Sequence, residues 1–159
     1  MKQNYALKLE SSSPLQTINY GKLFSKVLKG GDVLVLGGSL GAGKTTFTKG
    51  ILKGLGWRGT VLSPSFTLIR QYPFRKLMVY HADLYRLNKA SADNLGIEEF
   101  IYSPDSMAII EWGDKIVREL PTYLEVRFFY LENERRKLWI TSEGLEKERV
   151  AKIKRFFGR

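Results

Sequence analysis

Apolar and polar side chains alternate across residues 4–10, with Tyr5, Leu7 and Leu9 on one side, a period of two that predicts a half-buried strand. Ser11, Ser12 and Ser13 then precede Pro14, and a serine N-cap with proline at the first helical position opens a helix. Its buried face is expected from Leu15, Ile18, Leu23, Val27 and Leu28, and its end near Gly30 and Gly31. Residues 33–36 are continuously aliphatic, as in a strand covered on both faces, and lead straight into a glycine-rich stretch. Residues 45–55 read as a helix closed by Gly54, Gly56 and Gly59, after which residues 63–72 resume a strand-like pattern that Pro73 ends.

Two later segments, residues 76–83 and 106–111, share a layout. In each an apolar run, Leu77-Met78-Val79-Tyr80 or Met107-Ala108-Ile109-Ile110, delivers a carboxylate, Asp83 or Glu111, and both are expected as parallel core strands. Residues 114–120 form a short helix that Pro121 stops. Residues 123–131 and 137–141 form an antiparallel hairpin around Glu132-Asn133-Glu134, and residues 145–157 a last helix. This order of strands and helices predicts an α/β architecture.

At 159 residues and 43% hydrophobic composition, the chain can bury one substantial core, so a single domain over residues 1–159 is expected, ending in a basic helix. Its three Trp, eight Tyr and nine Phe argue against disorder. No apolar run approaches the roughly 20 residues of a spanning helix, and no signal-peptide layout opens the chain, which leads to the expectation of a soluble cytoplasmic protein without membrane contact. With no cysteine, disulfides, thiolate metal sites and cysteine redox chemistry are excluded. The net charge of +10 draws polyanions without choosing among nucleotide, RNA and acidic protein.

The glycine-rich stretch narrows that choice. Residues 38–45 read G-S-L-G-A-G-K-T, the GxxxxGK[ST] pattern of a phosphate-binding loop, placed where a buried strand meets a helix. A phosphate needs backbone N–H groups pointing inward and a helix N-terminus aimed at it, which a loop of small residues provides. Gly38, Ser39, Leu40, Gly41, Ala42 and Gly43 form the loop, Lys44 reaches the β and γ oxygens, and Thr45 offers a hydroxyl to Mg²⁺. Thr46 adds a contact to the α-phosphate. Phosphoryl chemistry also needs a carboxylate for the metal and a group that orients attacking water. Asp83 and Glu111, at strand ends, meet that need at the carboxyl edge of the sheet. The fold class is then a P-loop NTPase-like three-layer sandwich with a mixed, mainly parallel central sheet and a C-terminal antiparallel hairpin. His81, the only histidine, reads as a hydrogen-bonding group that orients a neighbour; the hydroxyls of Ser63, Ser65 and Thr67 lie where P-loop proteins carry nucleotide-responsive loops.

In order, G-S-L-G-A-G-K-T-T-F, S-P-S-F-T-L, H-A-D-L-Y-R-L, G-I-E-E-F and I-I-E-W-G resemble the bacterial TsaE family over about residues 5–141. The resemblance implies an ATPase needed for threonylcarbamoyl modification of adenosine 37 in tRNAs that read codons starting with A. It implies partners TsaB and TsaD, with TsaD as the transferase and ATP hydrolysis here supporting its repeated turnover. Carried over by motif, Lys44 holds phosphate, Thr45 and Glu111 bind Mg²⁺, and Asp83 activates water or organises the metal. Ser63, Ser65 and Thr67 fall in a switch-like segment, Trp112 matches an aromatic near the nucleotide, and Arg135 and Arg136 resemble a segment beside it. Where the family usually has Asp this chain has Ser39, and where it usually has Thr this chain has Ser65; the first removes a negative charge beside the phosphates. Two other readings fit parts of the sequence: a small-molecule kinase, or a nucleotide-switched RNA-binding adaptor. The second rests on the tail, where Lys147, Arg149, Lys152, Lys154, Arg155 and Arg159 offer a tRNA contact.

Overall fold

The computed structural model describes residues 6–158. Asn4 and Tyr5 of the expected first strand, and Arg159 of the tail, lie outside the described residues. Among the described residues, seven strands and four α-helices follow in the order β1 (Ala6–Ser11), α1 (Pro14–Ser25), β2 (Val33–Gly38), α2 (Lys44–Gly54), β3 (Ile69–Phe74), β4 (Leu77–Asp83), α3 (Lys89–Asp93), β5 (Ser106–Glu111), β6 (Tyr123–Tyr130), β7 (Arg136–Glu143) and α4 (Lys147–Phe157). The strands make one sheet ordered β1-β7-β6-β2-β5-β4-β3. β2 pairs in parallel with β5 and β6, and β4 in parallel with β5, whereas the outer pairs β1–β7, β6–β7 and β3–β4 are antiparallel.

Alternation along β2 sends its side chains to two cores. Leu34 and Leu36 join Phe24, Phe47, Ile51, Val150 and Ile153 beneath α1, α2 and α4. Val33 and Val35 join Ala92, Ile97, Ile116 and Leu120 on the opposite face. A strand buried on both faces must be apolar at every position, which accounts for its unbroken aliphatic run. The result is the expected three-layer, mainly parallel α/β sheet with a C-terminal antiparallel hairpin.

Several local expectations change. α1 stops at Ser25 and buries Thr17, Gly21 and Phe24, while Leu15 and Leu23 are exposed. Its seam with α2 combines the Phe24 and Phe47 rings, 5.6 Å apart, with glycines in close approach: a Cβ at Gly21 would lie 2.3 Å from the Phe47 carbonyl oxygen, and one at Gly50 2.1 Å from that of Ile18. Residues 63–68 are not strand; the chain turns through Leu68 (φ 65°), and β3 begins at Ile69. Pro73 does not end β3, which pairs only with β4 and so leaves one edge where a missing N–H costs no ladder bond. Two 3-10 turns, Gly113–Lys115 and Val117–Glu119, replace the short helix expected at 114–120.

The basic tail packs on the sheet's helical face. Val150 and Ile153 are buried, Phe157 lies against the same core, and the Arg149 guanidinium donates to Asp32 Oδ2 at 2.6 Å and to the Val27 carbonyl. Docking of α4 therefore accounts for its apolar stripe. No helix among the described residues is long and apolar enough to cross a membrane.

Candidate nucleotide-phosphate site

β2 delivers the chain to the carboxyl edge of the sheet, and residues 39–43 turn it into α2. Gly38 (φ 123°) and Gly43 (φ 112°) adopt left-handed backbone that other residues rarely take, and a Cβ on Gly38 would lie 2.5 Å from the Phe128 carbonyl oxygen. Gly43 caps α2 with no side-chain bond to the helix N–H groups, so the positive end of α2 faces the loop. This is a seat for an anion.

Lys44 opens α2 and is only 4% exposed. Its ammonium donates to the carbonyls of Gly38 and Ser39, both at 2.7 Å, and lies 4.1 Å from the centre of the Trp112 ring. Burial holds its pKa below the usual lysine value, while the negative charges of Glu111, Asp83 and Asp114 oppose that shift.

The carboxylates arrive by strand register. Parallel pairing of β4 with β5 sets Asp83 opposite Glu111, and pairing of β2 with β5 sets Glu111 opposite Leu36, two residues before the loop. Thr45 Oγ1, in the first turn of α2, donates to Glu111 Oε1 at 2.9 Å, and His81 Nε2 lies 2.8 Å from the same oxygen. Asp83 Oδ2 accepts from the hydroxyls of Ser63 and Ser65, each at 2.9 Å, and its Oδ1 accepts from the Tyr85 backbone N–H at 2.9 Å.

A cleft of about 270 Å³ brings together Leu40, Gly41, Gly43, Lys44, Thr45, Thr46, Ser63, Ser65, Asp83 and Glu111 among the residues expected from sequence. Trp112 and Tyr85 complete its wall, their rings 4.9 Å apart. Gly38 and Ser39 meet Lys44 through their carbonyls, and Ala42 is fully buried behind the loop. Thr67 lies outside, exposed beside a second cleft formed with Trp57, Leu62 and Arg70.

Neither arginine lines the cleft, and only Arg136 meets the loop. Arg136 Nε donates to the Ala42 carbonyl at 3.2 Å, and Arg135 pairs with Glu10 at 3.5 Å. Tyr130 was not foreseen: its hydroxyl donates to the Gly41 carbonyl at 2.5 Å, and Arg136 covers its ring at 5.1 Å. Only the pairing of β6 with β2 puts Tyr130 there, and nothing in the local sequence reveals that pairing.

Chemically, the loop and Lys44 suit a polyphosphate. The paired oxygens of Thr45 and Glu111 suit Mg²⁺, a hard cation that takes one or two protein oxygens and completes its shell with phosphate and water. Asp83, held at both oxygens, is an acceptor in a fixed orientation.

The chain matches the family model for "Threonylcarbamoyl adenosine biosynthesis protein TsaE" over residues 11–138. It is 44% identical over 115 residues to the tRNA threonylcarbamoyladenosine biosynthesis protein TsaE of Bacillus subtilis (strain 168), covering 72% of each chain. It is 40% identical over 120 residues to the protein of the same name from Treponema pallidum (strain Nichols), covering 74% of this chain and 86% of that one. The crystal structure of Bacillus subtilis YdiB has the same fold, with a TM-score of 0.82, 32% identity and 99% of each chain covered. By its matched residues and by these relatives, the chain belongs to the TsaE family of tRNA threonylcarbamoyladenosine biosynthesis proteins.

Proposed function

We propose that this chain is a Mg²⁺-dependent ATP hydrolase that acts in the cytoplasm with TsaB and TsaD. Its turnover supports repeated rounds of threonylcarbamoyl transfer to position 37 of tRNAs reading codons that begin with A. The observation that carries this reading is the convergence of Lys44, the Thr45–Glu111 pair and the anchored Asp83 on one cleft at the carboxyl edge of a parallel sheet.

Hydrolysis transfers the γ-phosphoryl group of ATP to water and leaves ADP and phosphate. The loop N–H groups and the α2 N-terminus bind the phosphates, and Lys44 exchanges its two carbonyl partners for phosphate oxygens. Asp83 orients the attacking water and accepts its proton, while Ser63 and Ser65 hold the carboxylate in place. Mg²⁺ held by Thr45 and Glu111 would supply charge neutralisation for the β and γ oxygens. Trp112 and Tyr85 wall the site.

The test measures ATP turnover by the purified chain with and without Mg²⁺, and with TsaB, TsaD and substrate tRNA. Slow Mg²⁺-dependent hydrolysis that the partners stimulate, and multiple-turnover tRNA modification that needs this chain, are expected. Turnover indifferent to the partners, with modification proceeding equally well in the chain's absence, contradicts the reading.

A further inference from the structure

His81 belongs to no wall of the nucleotide cleft, yet it is fully buried and bonded to a residue that does. It sits on β4 two residues before Asp83, opposite Ile109 of β5 and Arg70 of β3, with the Tyr72 ring 6.4 Å away. Its Nε2 lies 2.8 Å from Glu111 Oε1. A carboxylate only accepts, so Nε2 carries a proton. Nδ1 is buried, and among the described residues it has no hydrogen-bond partner.

That asymmetry is informative. A side chain kept only to fill the core would be better served by an apolar residue of similar size, which leaves no unpaired nitrogen. The single bond from Nε2 is the feature that histidine adds. Among the described residues, Glu111 Oε1 receives two donors, Nε2 at 2.8 Å and Thr45 Oγ1 at 2.9 Å, while Oε2 receives only the longer contact from Thr45 at 3.2 Å. The carboxylate is thus held at one oxygen by donors from two elements, β4 and α2, and the other keeps acceptor capacity.

We propose that His81 is a positioning residue for the metal: by fixing Glu111 Oε1 from beneath the cleft, it sets the carboxylate orientation that gives Glu111 its affinity for nucleotide-bound Mg²⁺. This rests on the reading of Thr45 and Glu111 as the metal-holding pair. His81 is not among the residues that line the cleft, so its influence on the site runs through Glu111. Partners that orient a metal ligand in this way commonly govern metal affinity by about 10- to 100-fold.

The test compares wild type, His81→Leu and His81→Gln by the Mg²⁺ concentration that gives half-maximal enhancement of ATP-analogue binding in calorimetry, and by the Mg²⁺ dependence of hydrolysis. His81→Leu should need about tenfold more Mg²⁺, with metal-free nucleotide binding unchanged. His81→Gln, whose side-chain amide N–H can take the place of Nε2–H, should stay near wild type. If His81→Leu does not fold, His81→Asn, whose amide is too short to reach Glu111, serves as the variant that loses the bond. Unaltered Mg²⁺ dependence in the variant lacking the bond, whatever its unfolding midpoint, overturns the assignment of His81 alone. Wild-type nucleotide binding indifferent to Mg²⁺ overturns the metal reading of Thr45 and Glu111 as well.

Discussion

Thr45 Oγ1 donates to Glu111 Oε1 across 2.9 Å, although 66 residues separate the two in the chain. The contact exists because β5 lies beside β2 in parallel, which brings the last residue of one strand to the loop that leaves the other. It joins the first turn of α2 to the sheet edge where Asp83 also ends its strand. Site and sheet are therefore one construction, and changes at the edge act on chemistry before they act on folding.

Asp83 is held at both oxygens, so Asp83→Asn retains the shape of the side chain and removes its capacity to take a proton. ATP affinity should stay within about threefold of wild type, while turnover falls about 10²-fold or more, as for loss of a general base. Paired measurements of nucleotide binding and phosphate release check this. Unchanged release would remove the catalytic role of Asp83.

Lys44 supplies a pH dependence. Burial depresses its pKa in the free protein, and phosphate beside it raises the value again. The protonated form binds better, so ATP affinity should fall as the pH rises through the depressed free-state value, with protons taken up on binding at alkaline pH. Calorimetry in buffers of different ionisation enthalpy reads that uptake directly.

Tyr130 braces the loop through one hydroxyl on the Gly41 carbonyl. Removing it in Tyr130→Phe loses a hydrogen bond of about 0.5–1.5 kcal/mol, which corresponds to ATP binding weaker by about two- to tenfold. Titration of the variant with an ATP analogue tests the brace, and the thermal midpoint should fall by about 1–6 °C.

Much of the fold and of the cleft was legible in the sequence because the pattern of a phosphate-binding loop is local. The residues 38–45 carry their glycines, lysine and threonine on adjacent positions, and the strands ending at Asp83 and Glu111 announce themselves by apolar runs. Tyr130 and the buttressing position of Arg136 were not legible, since each depends on which strands become neighbours. The seam of α1 was hidden for a different reason. Periodicity searches weigh large apolar side chains, whereas Gly21 and Gly50 pack by having none.

That seam gives a stability prediction. Gly50→Ala gains about 1 kcal/mol of helix propensity, but its Cβ would lie 2.1 Å from the Ile18 carbonyl oxygen, a backbone atom that cannot rotate away. Overpacking should win, with a net destabilisation of about 1–3 kcal/mol in denaturant unfolding.

The most direct test of the central claim is phosphate release from ATP by wild type and Glu111→Ala, measured at saturating nucleotide with and without Mg²⁺. Slow release by wild type that requires Mg²⁺, together with a loss of about 10²-fold in Glu111→Ala while ATP remains bound, is the predicted result. Equal release by the two proteins, or release from wild type that does not depend on Mg²⁺, would contradict the assignment of this cleft as a metal-dependent ATPase site.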